Sequence, residues 1–101
     1  MNNFSKENKM NTILSYDVSD KQTEVKAALL KMGFKDVIEG NNRVTCWLPN
    51  TTLWIEYSLK SPKQAKDDLK IVCSSLKIEL IRAIAVAFEE WAGVTGKPHT
   101  D

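Results

Sequence analysis

The stretch Ser61-Pro62-Lys63-Gln64 marks a helix start more firmly than any other segment of this chain. Ser61 supplies a side-chain oxygen for the unpaired first N–H groups. Pro62 suits the first helical position, and Gln64 completes a capping box. Ala65, Leu69, Val72, Cys73 and Leu76 then recur at helical spacing as one buried stripe. A helix fixed there divides the chain into β-rich territory before it and one long apolar segment after it. That restricts the fold to classes in which strands and helices share one core.

The flanking elements follow from the same rules. Residues 12–18 read as a first strand, ending on Ile13-Leu14-Ser15-Tyr16-Asp17. A helix is expected directly after it, with Ser19 and Gln22 as a second capping box and Asp20 in the first turn. Val25, Ala28, Leu29 and Met32 would form its buried stripe, Gly33 its left-handed terminator, and Phe34 a lid on the last turn. Lys35 to Glu39 is a short strand ending at the turn sequence Gly40-Asn41-Asn42. Arg43–Leu48 and Leu53–Tyr57 flank Pro49-Asn50 and are expected to pair as a hairpin. Residues 78–92 fit two patterns. As a helix, Ile81, Ile84, Phe88 and Trp91 share a face. As a strand, Leu80, Ile84, Val86 and Phe88 face one way and Ile81, Ala83, Ala85 and Ala87 the other. The strand is favoured, because a second helix would have to follow the first with no Gly, Pro or Asn between them.

At 101 residues, 43% apolar and 27% charged, the composition is that of one ordinary globular domain. The formal charge is +1, so nucleic-acid or membrane attraction would have to come from a local patch. No apolar run approaches the roughly 18 residues of a membrane span. Residues 1–11 read as a polar, disordered lead-in lacking the apolar stretch of a signal peptide. Residues 12–94 read as the domain and 95–101 as a flexible tail. Cys46 and Cys73 lack metal-site or redox-motif spacing, and two reduced, buried thiols in a cytoplasmic protein are expected.

Strand, helix, paired strands, helix and strand in that order give an α+β fold. It is the ferredoxin-like β-α-β-β-α-β sandwich, with two helices on one face of an antiparallel sheet. The first strand and the Leu53–Tyr57 strand should lie side by side. The other sheet face is left bare, so Trp54, Ile84, Val86, Phe88 and Trp91 are the expected contacts of a homodimer or another protein partner.

Ile13-Leu14-Ser15-Tyr16-Asp17-Val18, Thr52-Leu53-Trp54-Ile55 and Trp91-Ala92-Gly93 resemble the small CRISPR-associated adaptation endonuclease-like family. They resemble still more its compact VapD-type and SinR-like ferredoxin-fold relatives. The likeness covers Asn11 to about Val94. It implies that Asp17 from each of two subunits approaches a shared Mg²⁺ or Mn²⁺, and hence a nuclease or endoribonuclease acting on RNA or DNA. The chain departs from that pattern in lacking a strongly basic surface, in its extra turn at Gly40-Asn41-Asn42, and in its short tail.

The chemistry behind those positions can be read directly. Hard cations take carboxylate oxygens, and a metal-bound water can attack a phosphodiester. One carboxylate is too few, so Asp17 needs a second Asp17 or Asp20. The alternative is a strand-end acid that accepts backbone N–H bonds. Lys63, Lys66, Lys70 and Lys77, with Lys60 nearby, could contact phosphates without reading sequence. They could equally form a solvated face offset by Asp67 and Asp68. Trp47, Trp54, Tyr57 and Trp91 could stack bases, or simply be core and dimer contacts. His99 is expected to have no partners, and Gly93 and Gly96 do not form a phosphate loop.

Overall fold

The computed structural model describes residues 10–99. Five strands and two helices follow one another. They are β1 (Asn11–Val18), α1 (Gln22–Lys31), β2 (Val37–Glu39), β3 (Thr45–Trp47), β4 (Thr52–Glu56), α2 (Pro62–Leu76) and β5 (Leu80–Phe88). The lead-in expected over 1–11 lies outside the described residues up to position 9, and Asn11 already belongs to β1.

β1 is the centre of a three-stranded antiparallel sheet ordered β4-β1-β5. Its alternation decides the layering. Thr12, Leu14, Tyr16 and Val18 are buried on one face, whereas Ile13 is half-buried and Asp17 exposed on the other. The buried face meets both helices in one core of Leu14, Tyr16, Leu53 and Ile55 against Val25, Leu29, Ala65 and Leu69. Each fully buried Leu or Val there is worth about 1.5–3 kcal/mol over leaving it in water. Thr12, buried on that face, satisfies its hydroxyl by donating it to Lys60 O at 2.8 Å.

α2 starts as its capping box dictates. Ser61 Oγ accepts from Gln64 N, and Gln64 Oε1 accepts from Ser61 N at 2.8 Å. It stops without glycine: Lys77 itself turns left-handed (φ 59°), and Ile78 N reaches back to Cys73 O. α1 ends as expected. Gly33 takes φ 104°, Phe34 N bonds Leu29 O, and Phe34 is buried over the last turn.

Three local expectations are corrected. Ser19 does not cap α1; its hydroxyl and N–H bond Glu79 N and O, which ties the end of β1 to the entry of β5, and Lys21 stands at the helix start without a side-chain cap. β3 pairs with β2 rather than with β4. Gly40-Asn41-Asn42 closes that two-stranded ribbon through Gly40 N to Val44 O at 2.8 Å, with Asn42 and Arg43 both left-handed. Pro49-Asn50 only turns the chain between sheets, with Thr52 N bonding Pro49 O. Residues 80–88 are a strand, but a bulge opposite Asp17/Val18 shifts its parity. Leu80 therefore packs on the core with Ala85, while Ile81 is exposed.

The two sheets meet at a single bridge, Lys35 to Trp54, and through Trp54 Nε1–H, which donates to Val37 O at 2.6 Å. Cys46 and Cys73 are both free and buried. Among the described residues no helix is long and apolar enough to cross a membrane.

Candidate functional site

The face of the sheet turned away from the helices carries Asp17, Trp54, Ile84, Val86 and Phe88 of the residues singled out from the sequence. β-sheet register brings Ile13, Trp54 and Val86 into one row, Ser15, Thr52 and Ile84 into the next, and Asp17 opposite Arg82 at the far end. Ser15 and Thr52 share a hydroxyl hydrogen bond of 3.1 Å across that middle row. Ile84 is 64% exposed and Val86 42%. Trp54 and Phe88 are half-buried, and a segment of the same chain borders a hollow beside them.

That segment follows β5. Trp91, Ala92, Gly93 and Val94 line, together with Ile13, Trp54, Phe88, Ile38, Cys46 and Trp47, a mostly apolar hollow of about 440 Å³. Gly40 and Gly93 lie against the Trp91 indole, where an added Cβ would meet the ring at 3.4 Å. Farther along, Thr95 O accepts from Trp47 N at 3.1 Å. His99, expected to be without partners, has several. Its Nε2 lies 2.7 Å from Leu48 O, its Nδ1 lies 3.2 Å from Asp36 Oδ2, and its ring meets Trp47 edge-on. Asp36 also pairs with Lys26 of α1 at 3.1 Å. No sequence signal pointed to this cluster, because its members are scattered from position 26 to 99 and only folding unites them.

Asp17 stands at the end of β1 as anticipated, beside a shallow hollow lined by Ser15, Tyr16, Arg82, Ala83 and Ile84. Its Oδ2 accepts from Arg82 Nε at 2.8 Å, with the two side chains 52% and 74% exposed. Arg82 was not singled out beforehand, although it is the only charged residue in the nine of β5. Asp20 serves its own turn, accepting from Lys21 N at 2.7 Å. Among the described residues no three His, Cys, Asp or Glu side chains converge as a metal cage. A half-site completed by a second chain would not form such a cage within one chain.

The lysine stripe is internally matched over its first half. Lys60 pairs with Asp68 at 2.7 Å, Lys63 with Asp67 at 2.9 Å, and Lys66 with Asp67 at 3.4 Å. The hydrogen bond from Lys63, with Lys66 beside it, holds the Asp67 carboxyl below its ordinary range. Lys70 and Lys77 lie exposed on the same helix and its C-terminal turn. Inside the core, burial pushes the Tyr16 phenol up to about 12, and its hydroxyl has no hydrogen-bond partner. Burial also raises the Cys73 thiol.

Comparison of the chain with protein-family models, with curated proteins and with solved structures found no match in any of the three.

Proposed function

We propose that this protein is a homodimeric interaction module of ferredoxin-like plan, working in the cytoplasm and associating through the β5 edge and the open sheet face. The observation that carries this reading is β5 itself. It is a nine-residue strand at the end of the sheet order, with Ile81, Ile84 and Val86 exposed and Arg82 as its single charge. Strand edges that remain in water are ordinarily guarded by several charges, prolines or strong twists, and an unguarded one is a template for another strand. An antiparallel pairing of β5 with its own copy about Ile84 sets Ile84 on Ile84 and Arg82 opposite Val86. Such a contact is self-complementary and closed. The ferredoxin-like order is supported by the Lys35–Trp54 bridge, which draws the segment entering β2 alongside β4.

Light scattering across a concentration series tests this. The wild-type chain should dimerise, and Ile84→Lys, which sets two ammonium groups against each other, should weaken association at least tenfold. A wild-type chain that stays monomeric at high concentration would end the reading.

A second reading, a Mg²⁺- or Mn²⁺-dependent nuclease acting on RNA or DNA, is favoured by one observation: Asp17 is exposed on the same face, beside a hollow. Asp17 would be the ligand, helped by Asp20 or by the Asp17 of a second copy, with Lys60, Lys63, Lys66, Lys70 and Lys77 steering the phosphates. The two readings need different dimers. Pairing through β5 separates the two β1 strands by three strand spacings, at least about 14 Å, too far for two Asp17 side chains to share one ion. Shared coordination would need a face-to-face dimer, and Asp17 would first have to leave Arg82. Cleavage of labelled RNA and DNA with Mg²⁺ or Mn²⁺ should be lost in Asp17→Asn if this reading holds. Equal cleavage by both proteins, or none by either, removes it.

A further inference from the structure

We propose that the hollow between the two sheets binds a small amphipathic cation, an apolar or aromatic body carrying an ammonium or guanidinium group. Two adjoining hollows make up the site. The inner one, of about 440 Å³, has the size and the apolar, aromatic lining of a small-molecule site. Ile13 of β1, Trp54 of β4 and Phe88 of β5 reach it from the sheet, and Ile38 of β2 with Cys46 and Trp47 of β3 from the ribbon. Among the described residues no charged side chain lines it. The outer one, of about 810 Å³, shares Cys46, Trp91, Ala92 and Gly93 with the inner and is bordered by Glu39, Glu89 and Glu90.

Three independent observations specify the ligand. Cys46 is only 7% exposed, and among the described residues its free thiol takes part in no hydrogen bond. Its Sγ lies 3.9 Å from where a Cβ on Gly93 would stand, at the wall common to both hollows, so an unpaired group meets whatever molecule lies there. Trp91 also stands in both walls, its ring held between the backbones of Gly40 and Gly93. An indole attracts a cation more strongly than the other aromatic side chains do. The outer lining, finally, has three carboxylates and no Lys or Arg, and among the described residues none of the three pairs with a cation. In a chain of formal charge +1 that is a local negative excess, which a cation complements. The apolar body therefore sits in the inner hollow and the charge beside Trp91 and the glutamates. Since Glu39, Glu89 and Glu90 are exposed, they select the charge in a salt-dependent way, while burial of the body holds the ligand at any salt. The hollow is built within one chain, so its test and the association test fail independently.

Three probes share one body and differ in charge: phenylbutylamine, protonated at neutral pH, phenylbutanol and phenylbutyrate, each with its ring at the far end of the chain. The protein has three tryptophans, and Trp47, Trp54 and Trp91 all line the inner hollow, so their indole N–H resonances report on it. Titration of the full chain should shift these signals saturably. The amine should bind roughly fivefold or more tighter than the alcohol, with the acid weakest. At about 0.5 M salt the amine's advantage should shrink to about twofold or less. Glu39→Gln, Glu89→Gln and Glu90→Gln combined should erase that advantage and leave the alcohol's affinity as it was. All three positions are exposed, and the variant's indole spectrum before any probe is added shows that the fold is retained. Absence of a saturable shift with every probe overturns the site. Equal affinity for amine and acid overturns the cation, as does an amine preference that the combined variant keeps. Probe binding that weakens as the protein concentration rises would put a second copy of the chain in the hollow, and overturns the proposal as well.

Discussion

At the scale of single residues, the open question is what burial does to groups that want water. Tyr16 lies in the core with its hydroxyl unpaired. Its ionisation is pushed up to about 12 because the phenolate cannot be solvated there, with the Cys73 thiol adding to the effect. The unfolded chain has no such obstacle and loses the proton near 10. Since the folded-state value is the higher one, this contribution to stability is intact below about pH 10 and drains away as pH rises towards 12. The raised Cys73 thiol acts in the same direction, from its ordinary range upward. Tyr16→Phe should flatten the alkaline part of the stability-versus-pH curve. At neutral pH it should leave stability unchanged or raise it by up to about 1 kcal/mol, because it removes a polar group that has no partner. Urea denaturation from pH 7 to 11.5 measures both effects, and a Phe variant with the wild-type alkaline slope would refute the assignment. Asp17 belongs to the opposite class. Its exposed pair with Arg82 contributes about 0–1 kcal/mol, so Asp17→Asn can be assayed for chemistry without loss of the fold.

At the scale of elements, legibility followed how local the causes were. Ser61, Pro62 and Gln64 act within one turn, so the start of α2 could be read directly, as could the Gly33–Phe34 end of α1. Ser61→Ala should cost about 1 kcal/mol, measured as a lower urea midpoint at unchanged slope, since it strands one end of α2. A midpoint unmoved within error would mean that the cap contributes nothing. The equally good pattern at Ser19 and Gln22 misled because Ser19 had a stronger claim on it: Glu79, brought alongside by β5. Likewise the turn sequence at Pro49-Asn50 was visible, but which strands it joined was not. β3 found its partner across Gly40-Asn41-Asn42, where left-handed Asn42 and Arg43 turn the chain back on itself.

At the scale of the whole molecule, two helices cover one face of the β4-β1-β5 sheet, and residues 91–94 border an apolar hollow on the other. What stays bare is the β5 side, where Ile84 is 64% exposed. Ile84→Lys should therefore leave the unfolding free energy of the monomer within about 0.5 kcal/mol of wild type, whatever it does to association. A drop of several kcal/mol would mean that Ile84 belongs to a core and not to a free edge. The even mixture of charges matters at this scale too. Three of the five stripe lysines are answered by Asp67 and Asp68, which removes much of the local positive patch that the sequence offered.

While residues 78–92 fitted both strand and helix, the sequence by itself determined the α+β class, the start and buried stripe of α2, and the Gly33–Phe34 end of α1. Each of these follows from periodicity or from a few neighbouring residues. Only the tertiary structure decided that Asp17 is held by Arg82, that β3 joins β2, that a bulge turns Leu80 inward, and that His99 reaches Asp36 and Leu48. Those outcomes depend on residues 50 or more positions apart meeting, or on one strand choosing between two available partners. Local pattern carries no information about such choices, because their energy comes from desolvation and register in the assembled fold.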